Sequence, residues 1–323
     1  VSSWGTACGI ADHLAQAKPA IEAADPSITI VPDPEGLDPK VVIERVRWSG
    51  ANAYDWLWLN YHRALHSRWT PEVVADLVTF TQGQMRVLVT FHDTYGERKP
   101  DALQVQLHDL ADAFVVHEPC LDLPKAHLIR QGVAPAQLPY EYYGWGQVPI
   151  LGSVGWNQPW KNYDTLARVT GEQGWALVLC CNNATVEDEA RWEALNPRLF
   201  VVRGFLPADL IVSYLAGCDA TIFAYECANS GTSGAIRLGL AARKPVIAWR
   251  DCRQFRDLVA AELNAQVWPI HWCSGFDRLP QVLADIPVGR VDPSVVHLAT
   301  LDSWVHQGQA YARLFQQAVA PAV

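Results

Sequence analysis

The sequence predicts an α/β protein built from two doubly wound domains with parallel sheets. Three observations carry this. Short apolar runs alternate with amphipathic stretches along the chain. Most of those runs are continuously apolar, as in strands covered on both faces, where a half-exposed strand would alternate. Helical periodicity stops across 140–149, where the two halves divide, and a new strand starts at Ile150. At roughly 100–200 residues per domain, 323 residues suit about two domains.

In the first half the expected strands are Ile28–Val31, Asp55–Leu59, Arg86–Phe91 and Ala113–His117. Helices fit around them at Gly9–Glu22, Pro39–Arg47, Pro71–Gln82 and Ala102–Ala111. In the second half the strands are Ile150–Val154, Ala176–Cys181, Leu199–Val202, Ala220–Tyr225 and Pro245–Trp249. Their helices are Tyr163–Gln173, Pro207–Ala216 and Ser233–Ala242. Pro71 and Pro207 sit where a first helical turn accepts proline, because that N–H needs no intrahelical partner. A last helix, Ser303–Ala318, carries Trp304, Ala310, Tyr311, Leu314 and Phe315 on its apolar side. No repeat at solenoid period and no low-complexity tract occurs.

Composition narrows the function classes. Half the residues are hydrophobic and 18% are charged, which excludes a disordered chain. No apolar run reaches the ~20 residues of a membrane helix. The start, Val1-Ser2-Ser3-Trp4-Gly5, lacks a basic region followed by an apolar stretch, so no signal peptide is expected. The net charge of -9 and the lack of a Lys/Arg run disfavour nucleic acid as a partner, unless a local basic cleft hides in the average. The eight cysteines form no Cys-x-x-Cys pair. A zinc knuckle is therefore not expected, and buried, reduced thiols in a cytoplasmic protein are. Fourteen tryptophans are many; several stand beside polar turn residues, where they suit stacking on a sugar or a base.

Doubly wound sheets bind ligands outside the carboxyl ends of their strands, so the turns there hold the candidate residues. After the apolar run ending near Glu226 comes Ser230-Gly231-Thr232-Ser233-Gly234-Ala235, a turn of small residues opening a helix. Backbone N–H groups at a helix start suit an anion such as a pyrophosphate. An ordinary turn with Ser230 or Thr232 as N-cap fits the same residues. A second turn, Gly5-Thr6-Ala7-Cys8-Gly9, also leads into a helix, and Gly9 would admit a phosphate or sugar close to backbone. There is no Gly-x-Gly-x-x-Gly and no Gly-Lys-Ser/Thr. His92-Asp93 ends a strand, where His92 would donate to a sugar hydroxyl and Asp93 orient it, or the two would simply cap a loop. Asn60-Tyr61-His62 and His117-Glu118 end the neighbouring strands. Lys161, in the turn after Ile150–Val154, supplies a compact positive charge for a leaving pyrophosphate, or is a solvated surface lysine. Arg203 is a second cation at a strand end.

Taken in order, these motifs resemble the GT-B glycosyltransferases, in particular the large retaining group, glycosyltransferase family 4. The stretch 4–11 resembles that family's first glycine loop, and 54–62 its aspartate-led strand. Thr90-Phe91-His92-Asp93 resembles its Thr-x-His-Asp strand end, and Gly155 through Lys161 its phosphate turn. Residues 202–206 and 215–220 resemble the approach to its donor motif, and Ser303-Trp304 the start of its terminal helix. Two departures stand out. The family often shows Glu-x7-Glu, whereas the residue eight after Glu226 is Gly234, and Trp156 stands where an arginine often precedes the lysine.

The resemblance implies two Rossmann-like domains facing a central cleft: 1–146, joined by a terminal helix (303–323) that crosses back to it, and 147–302. It implies transfer of a sugar from a nucleotide diphosphate-sugar to a hydroxyl acceptor, with retention and without a metal or other cofactor. His92, Glu226 and Lys161 would carry catalysis, with Glu226 on the sugar hydroxyls. Cys8, Gly9, Arg203, Ser230, Gly231, Thr232, Ser233, Gly234 and Ala235 would hold the donor. Tyr61, His62, Asp93 and Tyr95 would face the acceptor, with Tyr140–Trp145 as a further contact. The alternatives on the same fold are a sugar-nucleotide epimerase, a binding protein that has lost catalysis, and a transferase acting on modified DNA.

Overall fold

A computed structural model describes residues 9–32, 38–49, 55–62, 69–81, 85–92, 102–117, 125–142, 145, 147–226, 232–262 and 269–317. They form two compact units. Unit 1 comprises the described residues of Val1–Gln131, Thr232 and those of Gln307–Val323; unit 2 comprises those of Gly132–Asn229 and Ser233–His306.

Unit 1 contains α1 (Gly9–Ala24), α2 (Pro39–Ser49), β1 (Trp56–Tyr61), α3 (Pro71–Thr81), β2 (Arg86–Phe91), α4 (Ala102–Leu110), β3 (Ala113–Val116) and β4 (Ala126–Leu128). Its sheet runs β1-β2-β3-β4, every pair parallel. Beyond its first residue, each of β1 and β2 is buried throughout, and β3 is buried along its whole length. That is why their apolar runs do not alternate. Leu57, Leu59, Val87, Val89, Phe91, Phe114 and Val116 form a core with Val74 and Leu77 of α3 and Leu107 of α4. Residues 28–31 are not a strand. The Glu22 carboxylate takes the Ile30 N–H and Asp25 takes those of Ser27 and Ile28, so local partners replace a sheet ladder.

Unit 2 contains β5 (Ile150–Gly155), α5 (Tyr163–Glu172), β6 (Ala176–Cys181), α6 (Val186–Leu195), β7 (Leu199–Arg203), α7 (Ala208–Ala216), β8 (Ala220–Phe223) and α8 (Gly234–Ala241). It continues with β9 (Val246–Trp249), α9 (Arg256–Glu262), β10 (Ile270–Cys273), α10 (Leu279–Asp285) and α11 (Pro293–Leu301). All strand pairs are parallel, in the order β10-β9-β8-β5-β6-β7. This is the six-stranded doubly wound order, and the winding reverses between β5 and β8. The reversal makes a crevice at their carboxyl ends.

A buried ion triad ties three helices of unit 2. Arg237 of α8 reaches Asp302, the C-cap of α11, at 3.0 Å and also bonds Asp257 of α9. Unit 2 begins at Gly132, upstream of the 146/147 boundary expected from the sequence. The reason is packing. The Tyr140 N–H donates to the Ser213 carbonyl, the Tyr142 hydroxyl donates to the Tyr214 carbonyl, and both rings lie on Phe200 and Tyr214 or Phe200 alone.

The last helix, α12 (Trp304–Gln317), starts in unit 2 and from Gln307 belongs to unit 1. Gly308 lies against the backbone of Ala20 in α1, so closely that a Cβ there would meet the Ala20 carbonyl oxygen at 2.5 Å. Tyr311 and Phe315 pack on Trp58, and Phe315 also on Trp56. The terminal helix thus returns to the N-terminal unit, as expected. Within the described residues no helix is long and apolar enough to cross a membrane.

Candidate active site

The candidate site in unit 2 is where β5 and β8 diverge. Strand β5 ends at Gly155, whose φ is +144°, a conformation that favours glycine. The chain then makes a short 3-10 turn, Pro159–Lys161, and Asn162 enters α5 with a left-handed φ of 54°. Asparagine tolerates that conformation better than most residues. Its Nδ2 donates to the carbonyls of Trp160 (3.3 Å) and Ala224 (3.4 Å). The Glu226 N–H donates to the Trp160 carbonyl at 2.8 Å, and the Tyr225 hydroxyl to that of Val154 at 3.1 Å. The turn after β5 and the segment after β8 are therefore stitched into one frame.

Lys161 sits inside that frame, 8% exposed, and is not the solvated surface lysine that the sequence also allowed. Its Nζ lies 3.8 Å from the centre of the Tyr225 ring, a cation–π contact. It packs on Gly155 so tightly that a Cβ there would stand 2.2 Å from Nζ. The glycine and the lysine, six residues apart, are one device: the missing side chain makes the space that the ammonium fills. Cys181, at the end of the neighbouring strand, shows the balance of forces. Burial pushes its thiol up to about 11, although the Asn183 N–H and the Lys161 charge act the other way.

The start of α8 follows the same strand end. Ser233 is the N-cap, but its side chain makes no capping bond, so the Ser230 or Thr232 cap is not what forms. The Ser233 N–H donates to the Gln254 carbonyl at 3.2 Å, which removes it from the set of anion donors expected there. The first-turn N–H groups of Gly234 and Ala235 have no acceptor within the helix by helix geometry and carry the positive end of its dipole. Thr232 groups with unit 1. The Glu226 side chain is exposed. Arg203, at the end of β7, pairs with Glu189 of α6 at 3.2 Å, so its charge is partly spent within the domain.

In unit 1, His92 directly follows β2, and its Nε2 lies 3.2 Å from Asn60 Oδ1. It is buried with His117, which directly follows β3, and with His13 of α1. Burial first, and then the neighbouring His117, holds His13 well below the usual imidazole range. Tyr61 is 2% exposed and lies on Phe91 in the core, a correction to its expected place facing an acceptor. It closes β1, which is buried at every position after its first, and its ring packs in the core. His62, next to it, is half-buried. Of the stretch 140–145, Tyr140, Tyr142 and Trp145 are likewise bound up in unit 2, Tyr142 stacking on Trp145 at 5.5 Å, and Tyr143 and Gly144 lie outside the described residues. Gly9 is the first residue of α1. Cys8, Asp93, Tyr95, Ser230 and Gly231 lie outside the described residues.

Sequence reasoning singled out Lys161 without its partners. In the sequence Tyr225 is only a strand end and Asn162 only part of a turn, because their contacts join segments more than sixty residues apart. His13 carries no local signal at all, since it meets His92 and His117 only through the fold.

No protein-family model matches the sequence, and no curated protein matches it either. Solved structures do match the fold. The lipopolysaccharide outer core galactosyltransferase WaaB, in its apo form, superposes over 99% of this chain and 98% of its own, at 11% identity and a TM-score of 0.61. AviGT4, a glycosyltransferase involved in avilamycin A biosynthesis, covers 98% and 91% at 13% identity, TM-score 0.59. A UDP-forming alpha,alpha-trehalose-phosphate synthase from Burkholderia xenovorans covers 95% and 85% at 8% identity, TM-score 0.57. The chain spans 53% of the length of a further match, TarM.

Proposed function

On the GT-B fold that this chain adopts, we propose a glycosyltransferase that moves a sugar from a nucleotide diphosphate-sugar to a hydroxyl acceptor. The observation that carries the reading is Lys161, a nearly buried cation at the topological switch point of a doubly wound sheet. Ligands of such sheets bind there. A departing diphosphate develops negative charge, and a fixed ammonium plus helix-start N–H groups stabilise it without reorganising at the moment of reaction. In this reading Lys161 and the amides of Gly234 and Ala235 hold the diphosphate, and the exposed Glu226 carboxylate takes the sugar hydroxyls. No metal is needed for that neutralisation, because the lysine already supplies the charge. His92, at a strand end of unit 1, belongs to the side that meets the acceptor. Retention by front-face attack follows the family resemblance.

Trp156 in place of an arginine, and Gly234 in place of the second glutamate, favour a second reading: a donor-binding protein without turnover. One experiment separates the two. Nucleoside diphosphates and their sugar conjugates are screened by thermal shift, and each stabilising conjugate is then assayed for nucleoside diphosphate release with a panel of hydroxyl acceptors. Acceptor-dependent release supports the transferase. Stabilisation without release supports the second reading, and no stabilisation by any nucleotide refutes both.

A further inference from the structure

We propose that His13, His92 and His117 form a binding site for a divalent transition-metal ion of the zinc type. The site is local to unit 1 and shares only His92 with the glycosyl-transfer reading, and metal uptake is read without any transfer assay. It is built by the sheet. β2 and β3 are parallel neighbours with Phe91 opposite Val116 in register, so the next residues, His92 and His117, leave adjacent strands at the same level. Their ring centres are 4.9 Å apart. His13, one turn into α1, closes the triangle at 4.9 Å from His92 and 5.0 Å from His117. One ring nitrogen from each residue lies within 4.8 Å of the others. Among the described residues this is the cluster of histidine, cysteine or carboxylate side chains with metal-ligand spacing.

Three further points favour an ion. The rings are 2%, 9% and 3% exposed, and three imidazolium charges at this separation in so dry a place would repel strongly. A metal bound among the three rings would take the lone pair that each imidazole offers in its neutral form. Next, the partners fix the tautomers. The Ile129 carbonyl can only accept, so His117 Nδ1 carries the proton and donates to it at 2.8 Å, which leaves Nε2 as the lone-pair nitrogen. His92 Nε2 faces Asn60 Oδ1 at 3.2 Å, which leaves Nδ1. A backbone carbonyl or side-chain oxygen on the far nitrogen is the usual outer partner of a metal-ligating histidine. Finally, tetrahedral zinc with Zn–N of about 2.0–2.1 Å needs nitrogens about 3.4 Å apart. Closing from within 4.8 Å to that separation is a shortening of at most about 1.4 Å. Three neutral imidazoles suit zinc, cobalt, nickel or copper better than magnesium or calcium, which prefer oxygen. They leave a fourth position for water or another ligand.

The test is titration of chelator-treated, full-length protein with Co²⁺, read by the visible ligand-field absorption of low-coordinate cobalt and by calorimetry, followed by displacement with Zn²⁺. The expected result is one equivalent bound, with tetrahedral-type bands that zinc abolishes. His117→Ala and His13→Phe should each weaken Co²⁺ binding at least a hundredfold. Asn60→Leu, which keeps all three ligands and removes an outer partner, should weaken it about tenfold. Absence of the bands in the wild-type protein overturns the proposal whether or not any variant folds. So does uptake at unchanged affinity in both histidine variants, which would place the metal on surface histidines such as the exposed His306.

Discussion

Gly155→Ala tests the lysine device without touching the lysine. The added Cβ would stand 2.2 Å from Lys161 Nζ and 2.9 Å from Cε, and φ at this position is +144°. The backbone term alone costs about 1–3 kcal/mol of unit 2 stability. The side-chain term moves the ammonium, because the tip of a lysine yields more readily than backbone. Reaching ordinary contact at 3.4 Å requires a retreat of at least 1.2 Å, the difference of the two distances. For a diphosphate charge about 4 Å from Nζ, that retreat weakens the attraction from about 4.2 to about 3.2 kcal/mol at an effective dielectric of 20. The loss of about 1 kcal/mol corresponds to roughly a fivefold fall in kcat/KM. The assay is steady-state release of nucleoside diphosphate from the conjugate found by the thermal-shift screen, alongside urea unfolding. Turnover at the wild-type rate in a folded Gly155→Ala protein would refute the claim that Lys161 acts from its buried position.

Three other outcomes follow from the same geometry. Lys161→Ala and Glu226→Ala should each lower kcat/KM at least tenfold, about 1.4 kcal/mol in the barrier, and initial rates on the purified variants measure this. Arg237→Met strands Asp257 and Asp302 in a dry interior. It should cost unit 2 about 3–5 kcal/mol, seen as a lower urea midpoint. The Thr185 N–H, with Arg191 and the Thr185 hydroxyl, holds the Asp188 carboxyl below the usual carboxylate range. Its contribution is thus complete above the unfolded carboxylate's pKa of about 3.9 and fades as pH falls through the lower folded value. The stability gap between wild type and Asp188→Asn should be constant above about pH 5 and shrink below about pH 4; denaturation midpoints against pH check it.

The fold was largely legible because buried parallel strands write their burial directly into the chain. Val87-Leu88-Val89 and Leu177-Val178-Leu179 admit little else. The elements that escaped are those with weak or mixed patterns. β4 is Ala-His-Leu, and β10 is Ile-His-Trp-Cys, half-buried in the middle. α6 buries Trp192 and exposes much of the rest, although its Thr185-x-x-Asp188 capping box was there to be read. α10 and α11 are short helices with a proline in the first turn. At the candidate site, position along the chain marked Glu226 and His92 as strand-end residues and Lys161 as part of the turn after a strand. It said nothing of burial. That Lys161 lies on Tyr225, or that His13 reaches His92 and His117, depends on contacts between segments distant in sequence, which no local pattern encodes.

A crystal structure of the protein with the nucleoside diphosphate that gives the largest thermal shift decides whether Lys161 holds the diphosphate. The diphosphate oxygens should lie within hydrogen-bond reach of Lys161 Nζ and the N–H groups of Gly234 and Ala235. A diphosphate bound anywhere else on the molecule, with Lys161 untouched against Tyr225, would contradict it.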